Sequence, residues 1–225
     1  MPHKSTSSNP SLPARQTAPE RIRRRFSLFV PEYDGHMKAT NHVAVQHKLL
    51  DELLPRISGK KLLDIATGTG TVARYAKEKG VYEVYAVDFC EEMIAEAQRH
   101  PEGIRFSVAD ANALPFPNAY FDAVTCAYGF YWFAEPQKAF SEASRVLVPE
   151  GKLVLLEEEF KPGCRPAPKF SEKGGYLEEL AGLEQYTGVD SLIKEAGLAG
   201  FSLSYRIELP VDSIHTTVGM LFEKT

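Results

Sequence analysis

The sequence predicts an α/β fold: a doubly wound, mostly parallel sheet of seven strands, closed by an antiparallel edge hairpin, with helices on both faces. Three observations predict it. Short apolar runs alternate with helical stretches over about a hundred residues from Lys60. Three of those runs end at an aspartate, Asp64, Asp88 or Asp110. The last two apolar runs are separated only by Pro210–Ser213, a hairpin spacing.

Each element follows in order. Pro19–Val30 and Asn41–Leu54 read as two helices ahead of the sheet, the first stopping before Pro31. Lys60–Ile65 is a buried strand that runs into a Gly-Thr turn. Thr71–Lys79 is a helix stopped at Gly80. Tyr82–Val87 is the second strand, Glu91–Arg99 the second core helix and Ile104–Val108 the third strand. Phe121–Cys126 is the fourth strand, Gln137–Leu147 a helix and Lys152–Leu156 the fifth strand. A helical region over Tyr176–Ala196 precedes the closing strands Phe201–Leu209 and Ile214–Phe222. Right-handed crossovers between parallel strands then make the sheet doubly wound.

Composition bounds the function. Hydrophobic residues are 44% and charged residues 25% of 225, which excludes a coiled coil, a collagen-like fibre and wholesale disorder. Three cysteines, Cys90, Cys126 and Cys164, show no C-x-x-C spacing, so no disulfide framework or four-thiolate zinc site is expected. No apolar stretch reaches the ~18 residues of a membrane span, and no secretory leader is legible. A soluble, cytoplasmic protein, monomeric or homodimeric, is the expectation. Net charge is −4, yet residues 1–25 carry six basic residues against Glu20, leaving the remainder at −9. Such a body repels phosphate, so nucleic acid is not expected as a partner. The Arg21–Arg25 cluster reads as a solvated helix start, with weak contact to an anionic membrane surface as the alternative. Residues 1–18, rich in Ser, Thr, Pro and Ala, read as a disordered tail.

The informative residues fall at the carboxyl ends of the predicted strands, where α/β sheets bind ligands. Gly68-Thr69-Gly70 joins the first strand to its helix and lets the backbone approach a ligand. Asp88 ends the second strand, and its carboxylate can accept from two adjacent ribose hydroxyls. Asp110 ends the third and can accept from an adenine amine, while Phe89 and Met93 can cover the base. The glycine loop also satisfies G-x-G-x-x-[GA], so a nicotinamide-dependent oxidoreductase is a competing reading. Against it, Asp64 aims a carboxylate at the loop that would hold a pyrophosphate. That carboxylate suits a cationic amino group. A third reading is a catalytically idle nucleoside-binding partner subunit.

These motifs resemble a known family. Leu62-Leu63-Asp64-Ile65-Ala66-Thr67-Gly68-Thr69-Gly70 is similar to the first motif of the class I S-adenosylmethionine-dependent methyltransferases, which have a Rossmann-like fold. Val87-Asp88-Phe89 with Met93 resembles their ribose motif, and Ala109–Phe116 their adenine motif. Phe121-Asp122-Ala123-Val124 and Arg145–Gly151 resemble the segments that follow, giving coverage from Phe26 to Glu157. The resemblance implies S-adenosylmethionine as cofactor and S-adenosylhomocysteine as its product. It implies that Tyr33, Asp64, Ala66, Thr67, Gly68, Gly70, Asp88, Phe89, Met93, Asp110, Ala111 and Ala127 form the cofactor site. One domain over 19–225 is expected, with a helical lid over 19–58, a cofactor-binding core over 59–160 and substrate-side elements over 161–225.

The lead-in Phe26–Asp34 and the Ala66 variant resemble the ubiquinone/menaquinone C-methyltransferase branch. The run Tyr131–Pro136 departs from that branch, which carries Arg-Asn there, and resembles the broad small-molecule methyltransferases. An aromatic wall after the fourth strand suits an apolar or aromatic small-molecule acceptor, with Tyr128, Phe130 and Trp132 as candidate contacts. His36 and Tyr131 are the candidate proton-handling catalytic residues. Glu157-Glu158-Glu159 reads as a solvated acidic turn. His42 and His47, five apart on a helix, do not share a face, and no metal site is expected.

Overall fold

In the computed structural model, which describes residues 17–57, 61–160, 188–213 and 215–225, the chain opens with two helices, α1 (Ala18–Ala39) and α2 (His42–Leu53). Then come β1 (Lys61–Ile65), α3 (Thr71–Glu78), β2 (Glu83–Asp88), α4 (Glu91–Ala97), β3 (Arg105–Val108) and β4 (Phe121–Ala127). The chain closes with α5 (Pro136–Val146), β5 (Leu147–Phe160), α6 (Val189–Leu198), β6 (Phe201–Pro210) and β7 (His215–Lys224). The seven strands form one sheet in the order β3-β2-β1-β4-β5-β7-β6. The first five run parallel; β7 pairs antiparallel with both β5 and β6. The predicted closing hairpin is present, with β7 inserted between β5 and β6.

Both sheet faces are covered, which is why the central strands read as continuous apolar runs. Leu63, Ile65, Val124, Leu153 and Leu155 pack on one face with Phe140 of α5 and Leu192 of α6. Leu62, Val84, Ala123, Val154 and Leu156 pack on the other with Leu49 and Leu53 of α2 and Val72 of α3. Strand order reverses between β1 and β4, opening a crevice beyond their carboxyl ends. The two strand exits approach so closely there that a Cβ on Gly129 would lie 2.6 Å from Cys126 Sγ and 2.8 Å from Ala66 Cβ.

Three expectations are corrected. The first helix does not stop at Val30 but runs through Pro31 to Ala39. The ring takes the donor from the Ser27 carbonyl one turn back, where Ser27 is part-exposed beside exposed Leu28, so water can take that carbonyl. The fifth strand extends to Leu147–Phe160, because Phe121 of β4 pairs with Leu147 at its start and β7 offers a partner as far as His215, opposite Phe160, at its end. The acidic turn is not solvated: Glu157 is fully buried within β5. The expected tail falls outside the described residues except for residues 17 and 18, as do Cys164, Ile214 and the helical stretch before Gly188. Among the described residues, no helix is long and apolar enough to cross a membrane.

One polar cluster organises the loop after β3. Arg145 of α5 donates to the carbonyls of Leu114 and Phe116 at 2.9 and 2.7 Å and pairs with Glu142 at 2.7 Å. Glu142 in turn accepts from the Leu114 N–H at 2.8 Å. Arg145→Met is expected to leave these carbonyls unpaired, at a cost of about 2 kcal/mol. Thermal melting should then fall by roughly 4–8 °C. A variant that melts with the parent would show that water replaces the guanidinium without loss.

Candidate active site

The crevice at the strand reversal holds an open-mouthed cavity of about 820 Å³, counted with the solvent space at its mouth. Its floor is made by residues at four strand ends. The end of β1 contributes Ala66 and Gly68, that of β2 Asp88 and Phe89 with Met93 of α4 beside them, that of β3 Asp110 and Ala111, and that of β4 Ala127, Tyr128 and Gly129. Phe26 and Tyr33 of α1 and Trp132 and Phe133 of the turn after β4 cover it. A second hollow, lined by Asp64, Thr67, Met37 and Gln46, shares Tyr33, Ala66, Ala127 and Tyr128 with the first.

Asp88 is held by the loops on either side of it. Its carboxylate accepts from the Gly68 N–H at 2.8 Å and the Cys90 N–H at 2.9 Å, which ties the glycine loop to the end of β2. Thr69 donates its hydroxyl to Asp34 at 2.6 Å, tying the same loop to α1. Asp64 lies beneath it, 1% exposed, accepting from the Thr67 hydroxyl at 2.5 Å and the Thr125 hydroxyl at 2.7 Å. Burial pushes the Asp64 carboxyl up to about 7 and raises Asp88 and Glu157 as well. Three acids crowd one end of the sheet, and no lysine or arginine lines the cavity among the described residues. The site is built for a cation and a neutral nucleoside, and a pyrophosphate would meet carboxylates with nothing to offset them.

Two non-glycine residues hold left-handed backbone here, Ala66 at φ 52° and Tyr128 at φ 58°. Such positions cost free energy and persist where the surroundings impose them. Here they aim the β1 and β4 exits at each other across the crevice.

The structure brings most of the sequence-named residues together. Tyr33, Ala66, Gly68, Asp88, Phe89, Met93, Asp110, Ala111, Ala127, Tyr128 and Trp132 line the main cavity, and Asp64 and Thr67 line the adjoining hollow. Gly70 lines neither; it caps α3 at φ 88°, and a Cβ there would lie 2.9 Å from the Phe106 ring. Phe130, expected at the acceptor, is fully buried in the core, stacked on Phe140 at 4.3 Å. Its backbone N–H donates to Glu157 at 2.9 Å, which turns the side chain under α5. Tyr131 lines neither cavity, and its hydroxyl donates to the Glu158 carbonyl. His36 is half-buried against Phe29, its pKa lowered by burial first and by nearby His42 second. Phe26 and Phe133, from the lead-in motif and the aromatic run, join the walls without having been singled out, and Gln46 joins them unannounced by any local motif. A helix–loop contact made by the fold put them there.

Spacing along the chain also conceals a cluster of ligand-type side chains. His42, Glu158 and His215 come from α2, β5 and β7, and their ligating atoms all lie within 4.8 Å of one another. Spacing along the chain gave no reason to expect these three side chains together; the fold alone brings them to one place.

A doubly wound sheet with acidic strand ends around a glycine loop defines a nucleoside-binding α/β domain. Residues 63–155 match the family model described as the methyltransferase domain. The demethylmenaquinone methyltransferase of Thermus thermophilus is 50% identical over 140 residues, which cover 59% of this chain and 63% of that one. The ubiquinone/menaquinone biosynthesis C-methyltransferase UbiE of Roseobacter denitrificans is 34% identical over 157 residues, covering 63% and 62%. A methyltransferase structure from Thermotoga maritima superposes with a TM-score of 0.69 at 18% identity, covering 90% of this chain and 99% of that one, and shows the shared fold. The chain therefore carries, over residues 63–155, a methyltransferase domain of the class I S-adenosylmethionine-dependent kind, and these sequence relatives are named as demethylmenaquinone and ubiquinone/menaquinone methyltransferases. It spans somewhat under two thirds of the length of those relatives. S-adenosylmethionine is the family's cofactor, and the donor set fits it: carboxylates for the amino group and ribose, and apolar cover for the adenine.

Proposed function

We propose that this protein transfers the methyl group of S-adenosylmethionine to a ring carbon of a reduced quinone of the demethylmenaquinone kind. The observation that carries the reading is the apolar, aromatic-walled cavity set against acidic strand ends. The likeness to the Thermus and Roseobacter enzymes supports the acceptor class. When bound, the cofactor supplies a methyl group already activated on a sulfonium. Asp64 and Asp88 hold its cationic and ribose parts, and Asp110 with the Ala111 backbone faces its base. Phe26, Tyr33, Trp132 and Phe133 exclude water and hold a flat acceptor ring, so proximity and desolvation supply much of the acceleration.

The test is turnover of a short-chain demethylmenaquinol, with the methylated product detected by mass spectrometry. Absence of product from a protein that binds S-adenosylhomocysteine would move the reading to another small-molecule acceptor. Trp132→Ala removes one face of the acceptor pocket, worth about 1–2 kcal/mol. Its kcat/KM should fall by roughly five- to thirtyfold while cofactor affinity holds. A parallel loss of cofactor affinity would place Trp132 over the cofactor.

A further inference from the structure

The His42–Glu158–His215 cluster has no part in holding the cofactor, and it is largely buried. The side chains of His42, Glu158 and His215 are 11%, 25% and 7% exposed. The hydrogen bonds around the two imidazoles determine which ring nitrogens carry protons. Thr40 donates its single hydroxyl proton to the His36 carbonyl at 2.8 Å, and its oxygen lies 2.7 Å from His42 Nδ1. Both contacts are made only if His42 Nδ1 is the donor. His215 Nδ1 lies 2.8 Å from the Asp212 carboxylate, an acceptor only. Each Nδ1–H is thus spent on an outer partner, which leaves Nε2 as the ring nitrogen that each histidine turns toward the cluster.

Both Nε2 atoms face the same carboxylate oxygen. His42 Nε2 is 2.5 Å and His215 Nε2 3.6 Å from Glu158 Oε1, and the two rings stack at 5.4 Å. A proton shared by His42 and Glu158 would answer the first contact alone. The second is too long for a hydrogen bond. It does match the ~3.3 Å separation of two ligands sharing a tetrahedral ion at ~2.0–2.1 Å. The His42 contact reaches that separation by opening less than ~1 Å. An outer hydrogen bond from Nδ1 to a hydroxyl or carboxylate is also the arrangement that orients metal-binding histidines.

We propose that His42 Nε2, His215 Nε2 and Glu158 Oε1 bind one divalent transition-metal ion of the zinc, cobalt or iron(II) kind, with a fourth position open to water or an acceptor oxygen. Two imidazoles and one carboxylate select such ions over magnesium or calcium. The ion staples the corner between α1 and α2 to the exit of β5 and the start of β7, directly behind Tyr128, whose ring packs edge-on against His42 at 5.5 Å. The site does not depend on the identity of the acceptor.

The experiment uses the full, tag-free chain, stripped of metal by a chelator and titrated with Co²⁺. One equivalent should produce the visible d–d bands of a low-symmetry site, and Zn²⁺ should displace them. Zn²⁺ should also raise the melting temperature of the parent chain and leave that of Glu158→Gln unchanged. His42→Asn and His215→Asn should each abolish the bands in a chain whose circular dichroism is unchanged. Asp212→Asn, at an exposed position, should weaken Co²⁺ binding by about ten- to a hundredfold. That variant carries the test if the histidine variants fail to fold. Absence of stoichiometric bands overturns the proposal in favour of a proton-bridged ion pair. Bands that survive His215→Asn, or unchanged affinity in Asp212→Asn, overturn it in favour of histidines elsewhere on the chain.

Discussion

Asp88→Ala is expected to weaken S-adenosylhomocysteine binding by about ten- to a hundredfold, as measured by isothermal calorimetry. The ribose hydroxyls lose a charged acceptor, worth about 1.5–3 kcal/mol. The same carboxylate holds the N–H groups of Gly68 and Cys90, so the alanine variant also loosens the glycine loop. Asp88→Asn separates the two effects, because the amide oxygen still accepts one of these bonds while the charge is gone. Its affinity should fall nearly as far, with less loss of melting temperature. An unchanged dissociation constant in a folded Asp88→Ala protein would mean that the ribose lies elsewhere.

Asp64 should make both stability and binding depend on pH, with opposite signs. Its carboxyl is raised by burial from 3.8 to about 7, so the folded chain holds this proton more tightly than the unfolded chain. Its contribution to stability is fully present below about pH 4 and is lost as pH rises through about 7. A bound amino cation favours the ionised carboxyl. Below about 7 the proton must leave on binding, so affinity for S-adenosylhomocysteine should fall by up to tenfold per pH unit. Between about pH 7 and pH 5 that amounts to as much as a hundredfold. Calorimetry in two buffers of different ionisation enthalpy counts the protons released. Asp64→Asn should flatten the profile and weaken binding at pH 8. A wild-type affinity that stays constant across this range would place the amino group away from Asp64.

The parallel core was legible in the sequence because its signals are local. A strand buried on both faces must be apolar throughout, and the glycine turn, Asp88 and Asp110 each sit at the end of a run visible within a few residues. The cofactor site draws chiefly on those strand ends, so most of its lining could be named before any coordinates. The run after β4 could not be resolved in that way. Trp132 and Phe133 face the cavity while Phe130 enters the core, because one tight turn rotates neighbouring aromatics in different directions. Nor could Pro31 be read correctly, since its helix continues by exposing the weakened bonds to solvent. The burial of Glu157 and the meeting of His42, Glu158 and His215 depend on which strand lies beside β5. That neighbour is β7, the last strand of the chain, more than fifty residues away in sequence. The sequence by itself determined the sheet and the ends of its parallel strands, because each is specified by neighbouring residues. Only the tertiary structure decided which distant polar side chains share a desolvated space, because that follows from strand order and helix docking.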